Sequence, residues 1–476
     1  MIDPSRLPQV IQGGMGIAVS SWRLARAVAS AGQLGVVSGT AIDSVLVRRL
    51  QDGDLCGSVR RAMEKFPIPD VTAYVMRRFF KPEGRAPGEA YRMLPMYRQT
   101  MSPLRQQITM LASFVEVTLA KEGHDGMVGI NLLTKVQMPN LPTLYGAMLA
   151  GVNVVLMGAG IPREIPAALD NMAHHEVATM KFDVEGLPAG QAEYLTFDPR
   201  KHNPTAGQSL DRPLFFPIVS AASLAHTLAR KSNGRVDGFV VEGPTAGGHN
   251  APPRGALRLS ESGEPIYGER DEVDMGAMRE IGLPFWLAGG AGSPEGLDHA
   301  LSVGAHGIQV GTLFAYSEEA GFSTDVKRTI VTAAAEDRVS VRTEVRASPT
   351  GYPFKVAQVD GLPVLHQPRT RVCDLGYLRS AVHNPDGGIT YRCAAEPVDQ
   401  YVKKGGALED TEGRQCLCNA LMSSIGMGQE RDGYVEPPIV TSGDDVKYLK
   451  RFLQGRDSYR AADVIAYLTR AALVTA

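Results

Sequence analysis

Eight short apolar runs separated by helix-like segments predict an α/β protein of the (β/α)8 TIM-barrel class. Two further observations support that class. The runs are apolar on both faces, as parallel strands covered by helices are. Most of them also end in glycine, so a glycine-rich rim is expected where they stop.

Taken in order, PQVIQGGM (8–15) reads as a buried strand closing on a glycine pair. It is followed by SSWRLARAVASAG, in which Leu24, Ala27, Val28 and Ala31 share one helical face. LGVVSGT (34–40) is the second strand. Residues 52–124 hold helix-like segments without strands and are expected to form a helical insertion after strand two, on the rim. There Arg77, Arg78, Lys81 and Arg85 form either a face for an anionic substrate tail or a solvated helix face. Alternation resumes with MVGINLL (127–133), a helix over 141–151, NVVLMGAG (153–160) and a proline-started helix over 162–174. VATMKFDV and AEYLTFDP are read as a hairpin outside the barrel count. LFFPIVS (214–220), a helix over 221–231, and DGFVVEGPTAGGH (237–249) follow. The last barrel unit is LPFWLAGGAGSPEGLDHALSVGAHGIQVGT (283–312): strand, glycine loop, a Ser293-Pro294 helix start, then a strand and a glycine turn. After a helix to about 335 the periodicity fades. The chain is therefore divided into a barrel over 1–335 and a loop-rich C-terminal subdomain over 336–476, partly packed on the barrel.

Composition narrows the function classes. The 476 residues are 44% hydrophobic and 21% charged, with a net charge of −2 and both signs dispersed, which fits neither a nucleic-acid surface nor a polybasic membrane patch. No apolar run approaches the roughly 20 residues of a membrane span. No leader precedes the first strand at 9–13, so a cytoplasmic location is expected, with the five cysteines as thiols or ligands.

Chemistry is expected where the glycines cluster. Backbone N–H groups in a glycine turn at a helix N-terminus bind a dianion with little help from side chains, making Gly289, Gly290, Gly292, Gly311 and Thr312 candidate phosphate ligands. The competing reading is that these glycines only turn the chain. His249, on the glycine-rich loop after Glu242, is placed to act as a general base or acid near neutral pH, or else merely to hydrogen-bond neighbouring backbone. Cys373, Cys393, Cys416 and Cys418 crowd into the C-terminal region. Four thiolates suit zinc or an iron–sulfur cluster, but the C-x-C spacing strains a single small ion, and unpaired buried thiols are the default reading with a metal site as the alternative. The absence of cysteine between Cys56 and Cys373 argues against a thiol nucleophile on a barrel loop.

The ordered set QGGM (12–15), GINL (129–132), AGGH (246–249) after the Glu242 strand, LAGGAG (287–292) and IQVGT (308–312) resembles the nitronate monooxygenase family, formerly the 2-nitropropane dioxygenases. ASPTGYPFK (347–355) is similar to the segment with which that family closes its site. The resemblance implies an FMN-binding barrel in which Gly13, Gly14 and Met15 line the isoalloxazine and Asn131 approaches it from the third strand. Glu242, Gly247 and Gly248 would flank the ring and ribityl chain. Gly290, Gly292, Gly311 and Thr312 would hold the phosphate, with Gly289 and Gln309 completing the cofactor-binding set, and His249 corresponds to the catalytic histidine. It further implies oxidation of an alkyl nitronate by O2. Related barrels are NAD(P)H-dependent flavin enoyl-thioester reductases of fatty-acid or polyketide synthesis, and the shared motifs leave that alternative open. The NAPPRG continuation after His249 favours the nitronate reading. A non-catalytic flavin-binding barrel is the third possibility, which the placement of His249 disfavours.

Overall fold

In the computed structural model, residues 6–203, 206–363, 367 and 369–471 are described. Eight parallel strands form one sheet: Val10–Gln12, Gly35–Ser38, Val128–Leu133, Val154–Gly158, Leu214–Val219, Phe239–Glu242, Phe285–Ala288 and Gly307–Val310. The first strand pairs with the eighth in the register Val10↔Ile308, and the parallel bridge Ile11↔Leu34 joins it to the second, closing the barrel. Each strand begins within two residues of its sequence-derived start. Five-residue runs such as Val154–Gly158 are buried throughout, the mark of a strand covered on both faces.

Alternation along each strand divides the core. Ile11, Val36, Leu156, Phe216, Val240 and Trp286 fill the barrel interior, while Val10, Val37, Val155 and Phe215 pack beneath the helices. Trp286 stacks on Phe216 at 4.9 Å, and its indole N–H donates to the Pro8 carbonyl at 2.9 Å, so the largest interior ring is both packed and satisfied. Gly307 allows the eighth strand to start against the first: a Cβ there would lie 1.8 Å from the Gln9 carbonyl oxygen.

The stretch 52–124 contains helices Ser58–Met63, Pro69–Phe79 and Pro103–Ala120 and no strand. The third is capped by Ser102, whose hydroxyl accepts from the Arg105 N–H at 3.3 Å, and carries Pro103 in its first turn. It packs between helices Trp22–Ser30 and Asn140–Leu149, so it belongs to the barrel's outer ring rather than to the rim. Arg77 and Arg78 are exposed; Lys81 pairs with Glu89, and Arg85 with Asp52, away from the barrel mouth.

The two runs excluded from the barrel do form an antiparallel hairpin, Ala178–Phe182 with Glu193–Phe197. The C-terminal third is woven into the barrel. Strands Ser340–Glu344 and Phe354–Gln358 form a hairpin that adds Gly248–His249 as a third strand. Helix Ala461–Thr469 buries Ala461, Val464, Ile465 and Leu468 against helices Trp22–Ser30 and Pro294–Ser302, closing the outer ring between the eighth unit and the first. Among the described residues no helix is long and apolar enough to cross a membrane.

Candidate functional site

A chamber opens at the carboxyl ends of the barrel strands. Its floor is made of strand ends and its roof of C-terminal residues. From the floor, Gly13, Gly14, Met15, Asn131, Glu242, Gly289, Gln309, Gly311 and Thr312 line it, and Gly247, Gly248 and His249 enter from the loop after the sixth strand. Gly290 and Gly292 are set just behind this wall. Gly290 packs near the Thr245 hydroxyl, and Gly292 against Asp445, which itself lines the chamber.

The glycine turn after the seventh strand is left-handed, with φ of +84° at Gly289 and +72° at Gly290. A Cβ on Gly289 would stand 2.8 Å from the Ala246 nitrogen, so the two loops meet backbone to backbone. On the opposite wall the Asn131 amide donates to the Gly14 carbonyl at 2.8 Å, tying the first strand's glycine pair to the third strand. The Oδ1 of Asn131 and the Oε1 of Gln309 are buried in this lining without hydrogen-bond partners, as polar atoms awaiting a ligand are.

His249 is held by its neighbours. Nε2 lies 2.7 Å from the Ser348 hydroxyl, which in turn lies 2.8 Å from the Thr350 hydroxyl. The ring meets Phe354 edge-on at 4.8 Å, its partner in the three-stranded sheet. Burial pulls the imidazole pKa down to about 4, so it is neutral at physiological pH and available as a proton acceptor.

Glu242, at the end of the sixth strand, is shifted the opposite way: burial raises its carboxyl to about 8. The group therefore remains protonated near neutrality and is able to donate a hydrogen bond into the chamber. An unfolded chain ionises this carboxyl near 4.5, whereas the folded one keeps its proton to about 8. The associated stability is complete below the lower value and lost as pH rises through the upper. Thermal melts of the ligand-free protein are expected to fall by on the order of 2 kcal/mol between about pH 6 and about pH 9. Glu242→Gln should flatten that profile, and an unchanged slope in the variant would place the titration elsewhere.

The four C-terminal cysteines surround a second, narrow crevice lined with Leu375 and Arg379, and Cys418 also faces the main chamber. The zinc or iron–sulfur site expected there is not formed: among the described residues no group of three or more His, Cys, Asp or Glu is placed to hold a metal ion. The thiols are spread over the crevice wall. Donation of its S–H to Cys393 holds the Cys373 pKa well above the ordinary thiol range, and burial raises Cys416 to about 12 and Cys418 well above the ordinary thiol value.

Several chamber residues lie outside the site set expected from the sequence. Thr245 and Ala246 are carried by the loop that brings His249. Tyr377, Leu378, Leu417 and Leu421 roof the chamber, and Thr441, Ser442, Gly443 and Asp445 close the end beside Thr312.

Comparison with known proteins places this geometry. Residues 165–383, which carry His249 and both glycine turns, match the model of the nitronate monooxygenase family. A probable nitronate monooxygenase of Staphylococcus saprophyticus subsp. saprophyticus is 33% identical over 123 residues, 26% of this chain and 33% of that protein. One from Staphylococcus haemolyticus is 28% identical over 123 residues, with the same coverage. The chain thus spans about a third of the length of the curated relatives it matches. Among solved structures, FabK from Thermotoga maritima is similar at a TM-score of 0.49 and 16% identity, covering 99% of this chain and 96% of that one. Nitroalkane oxidase from Streptomyces ansochromogenes is similar at a TM-score of 0.44 and 15% identity, covering 98% of each. Both scores are low, and the barrel stands on its own strand order. The matched segment, a little under half of the chain, contains His249 and both glycine loops, and over it the chain is similar to the nitronate monooxygenase family.

Proposed function

We propose that the chamber binds flavin mononucleotide and that the chain is a flavin-dependent oxidoreductase, oxidising an alkyl nitronate with O2. The observation that carries this reading is the meeting, in one chamber, of His249 with Gly289 of the first glycine turn and Gly311 and Thr312 of the second. The residues present fit the group. Backbone at Gly289 and Gly311 lies open to the chamber, and the buried Asn131 Oδ1 and Gln309 Oε1 lack partners. Gly289, Gly290, Gly292, Gly311 and Thr312 would hold the phosphate, Gly13, Gly14, Met15 and Asn131 the ring, and Glu242, Gly247 and Gly248 its edge and the ribityl chain. When bound, the flavin supplies the electron chemistry.

The protein's part is to orient substrate and manage protons. One imidazole nitrogen of His249 is engaged with Ser348, leaving the other for substrate. A neutral imidazole can take the proton α to a nitro group or accept a hydrogen bond, and the neutral Glu242 adds no negative charge beside an anionic nitronate.

A second reading, NAD(P)H-dependent reduction of an enoyl thioester, is favoured by one feature: Leu378, Leu417, Leu421 and Phe354 give the roof an apolar face suited to an acyl chain. An absorption spectrum of the purified protein, followed by anaerobic mixing with a nitronate, NADH or NADPH separately, distinguishes the two. Bleaching by the nitronate, with O2 uptake on aeration, is the expected result. Bleaching by a pyridine nucleotide alone, with reoxidation by an enoyl thioester, would replace the first reading by the second, and a protein without flavin absorbance that takes up no FMN would remove both.

A further inference from the structure

The phosphate end of the chamber contains a carboxylate. Asp445 is 5% exposed, and its Oδ2 accepts from the Gly292 N–H at 3.1 Å, one of the backbone donors of the glycine turn. A Cβ on Gly292 would lie 2.6 Å from that oxygen. The other oxygen, Oδ1, is buried without a hydrogen-bond partner in a residue that lines the chamber. The segment that carries Asp445 is pinned to the second glycine turn and to the loop after the sixth strand: the Gly443 N–H donates to the Thr312 hydroxyl at 2.9 Å, and the Asp444 N–H to the Thr245 carbonyl at 2.9 Å. A negative side chain thus stands where the backbone is built to receive a negative ligand.

Two anions cannot share such a turn without large repulsion in a site sheltered from water. We propose that Asp445 is a phosphate-site residue that takes up one proton from solvent when a phosphomonoester binds, its neutral carboxyl then donating O–H to a phosphate oxygen. In its ionised form the same group occupies the turn itself and competes with the ligand. The proposal rests on the flavin reading for the identity of the phosphomonoester.

The charge environment agrees. Burial is the largest influence and raises the Asp445 carboxyl to about 6, against the Gly292 N–H, which lowers it. Lys447 and Lys355 also lower it and Asp444 raises it, but Lys355 is paired with the Asp444 carboxylate at 2.7 Å, so its charge is largely engaged. The Tyr467 phenol lies within electrostatic reach from the C-terminal helix and is neutral at physiological pH.

The test is titration of the flavin-free protein with FMN, followed by flavin fluorescence from about pH 5.5 to about pH 8.5, with riboflavin as the phosphate-free control. For the wild type the Kd for FMN is expected to rise with pH, approaching roughly tenfold per unit once the carboxyl is ionised. The phosphate's own second ionisation, near pH 6, favours binding as pH rises, so the opposite sign identifies the protein group. Riboflavin should show a flat profile, and Asp445→Asn should bind FMN with the slope removed. FMN binding with equal slopes in wild type and D445N would overturn the proposal while leaving the flavin reading intact. Failure of the wild type to bind FMN at any pH would overturn both. Should D445N not fold by circular dichroism, the wild-type comparison decides alone: parallel FMN and riboflavin curves overturn the proposal.

Discussion

Replacing His249 by alanine is expected to leave the protein folded and able to bind FMN, while lowering turnover of a neutral nitroalkane by roughly 10²- to 10⁴-fold, the usual worth of a positioned general base. Retention of flavin follows from the geometry. His249 is in a short strand whose pairing with Phe354 and Lys355 is made by backbone, and its side-chain partner is Ser348 rather than the glycine turns. The loss should depend on the substrate's protonation state: a preformed nitronate has no α proton to give up, so its turnover should fall much less. Because burial holds the imidazole near 4, the wild-type rate should show no acid limb from this group until pH falls to that region, where the protonated ring ceases to accept a proton. Equal turnover of both substrate forms in wild type and His249→Ala would reduce the residue to packing against Phe354. Restoration of the rate by added imidazole would support the base role.

How far the site could be read from the sequence follows from which interactions are local. The barrel strands were legible because burial on both faces makes each a continuous apolar run, as at Val154–Gly158, and the glycine turns because backbone that meets backbone tolerates no side chain, as at Gly289. The chamber's roof was not legible. Tyr377 and Asp445 lie in stretches with neither helical nor strand periodicity, and nothing local states that such a stretch, or the short helix begun by Leu417, folds back over a barrel mouth built far earlier in the chain. The four cysteines show a related limit. Their proximity in sequence does bring them to one crevice, but thiols distributed over a wall are not a coordination sphere. Helix Pro103–Ala120 shows a third limit: length and burial identify it as a helix, whereas only its contacts with the helices on either side assign it to the outer ring.

The roof's attachment to the barrel makes Asp43→Ala the most destabilising single change expected. Asp43 lies in the helix after the second strand and is 1% exposed. Its Oδ2 accepts from Arg105 at 2.6 Å and from the Thr109 hydroxyl at 2.9 Å, while Oδ1 accepts from the Ser44 N–H at 2.9 Å and from the hydroxyl of Tyr377, a chamber residue from the C-terminal third. Burial alone would raise this carboxyl, but the Arg105 charge and the three side-chain hydrogen bonds outweigh it and hold the pKa below the ordinary value. Its contribution to stability is therefore present above pH 3.8 and lost as pH falls through the lower folded value. Alanine would leave the Arg105 guanidinium, itself 4% exposed, charged and without its carboxylate, at a cost of about 3–5 kcal/mol. Most of that penalty arises from the stranded charge rather than from the lost pair. Asp43→Ala combined with Arg105→Met should therefore recover a large part of the loss in a denaturant melt, because a well-packed apolar replacement of a buried ion pair is often close to neutral. Simple addition of the two single penalties would mean that the pair is not energetically coupled. FMN affinity offers an independent readout: Tyr377 would keep only its 2.7 Å contact with the Ser44 hydroxyl, so the roof is held less firmly and the single variant should bind flavin more weakly even where it remains folded.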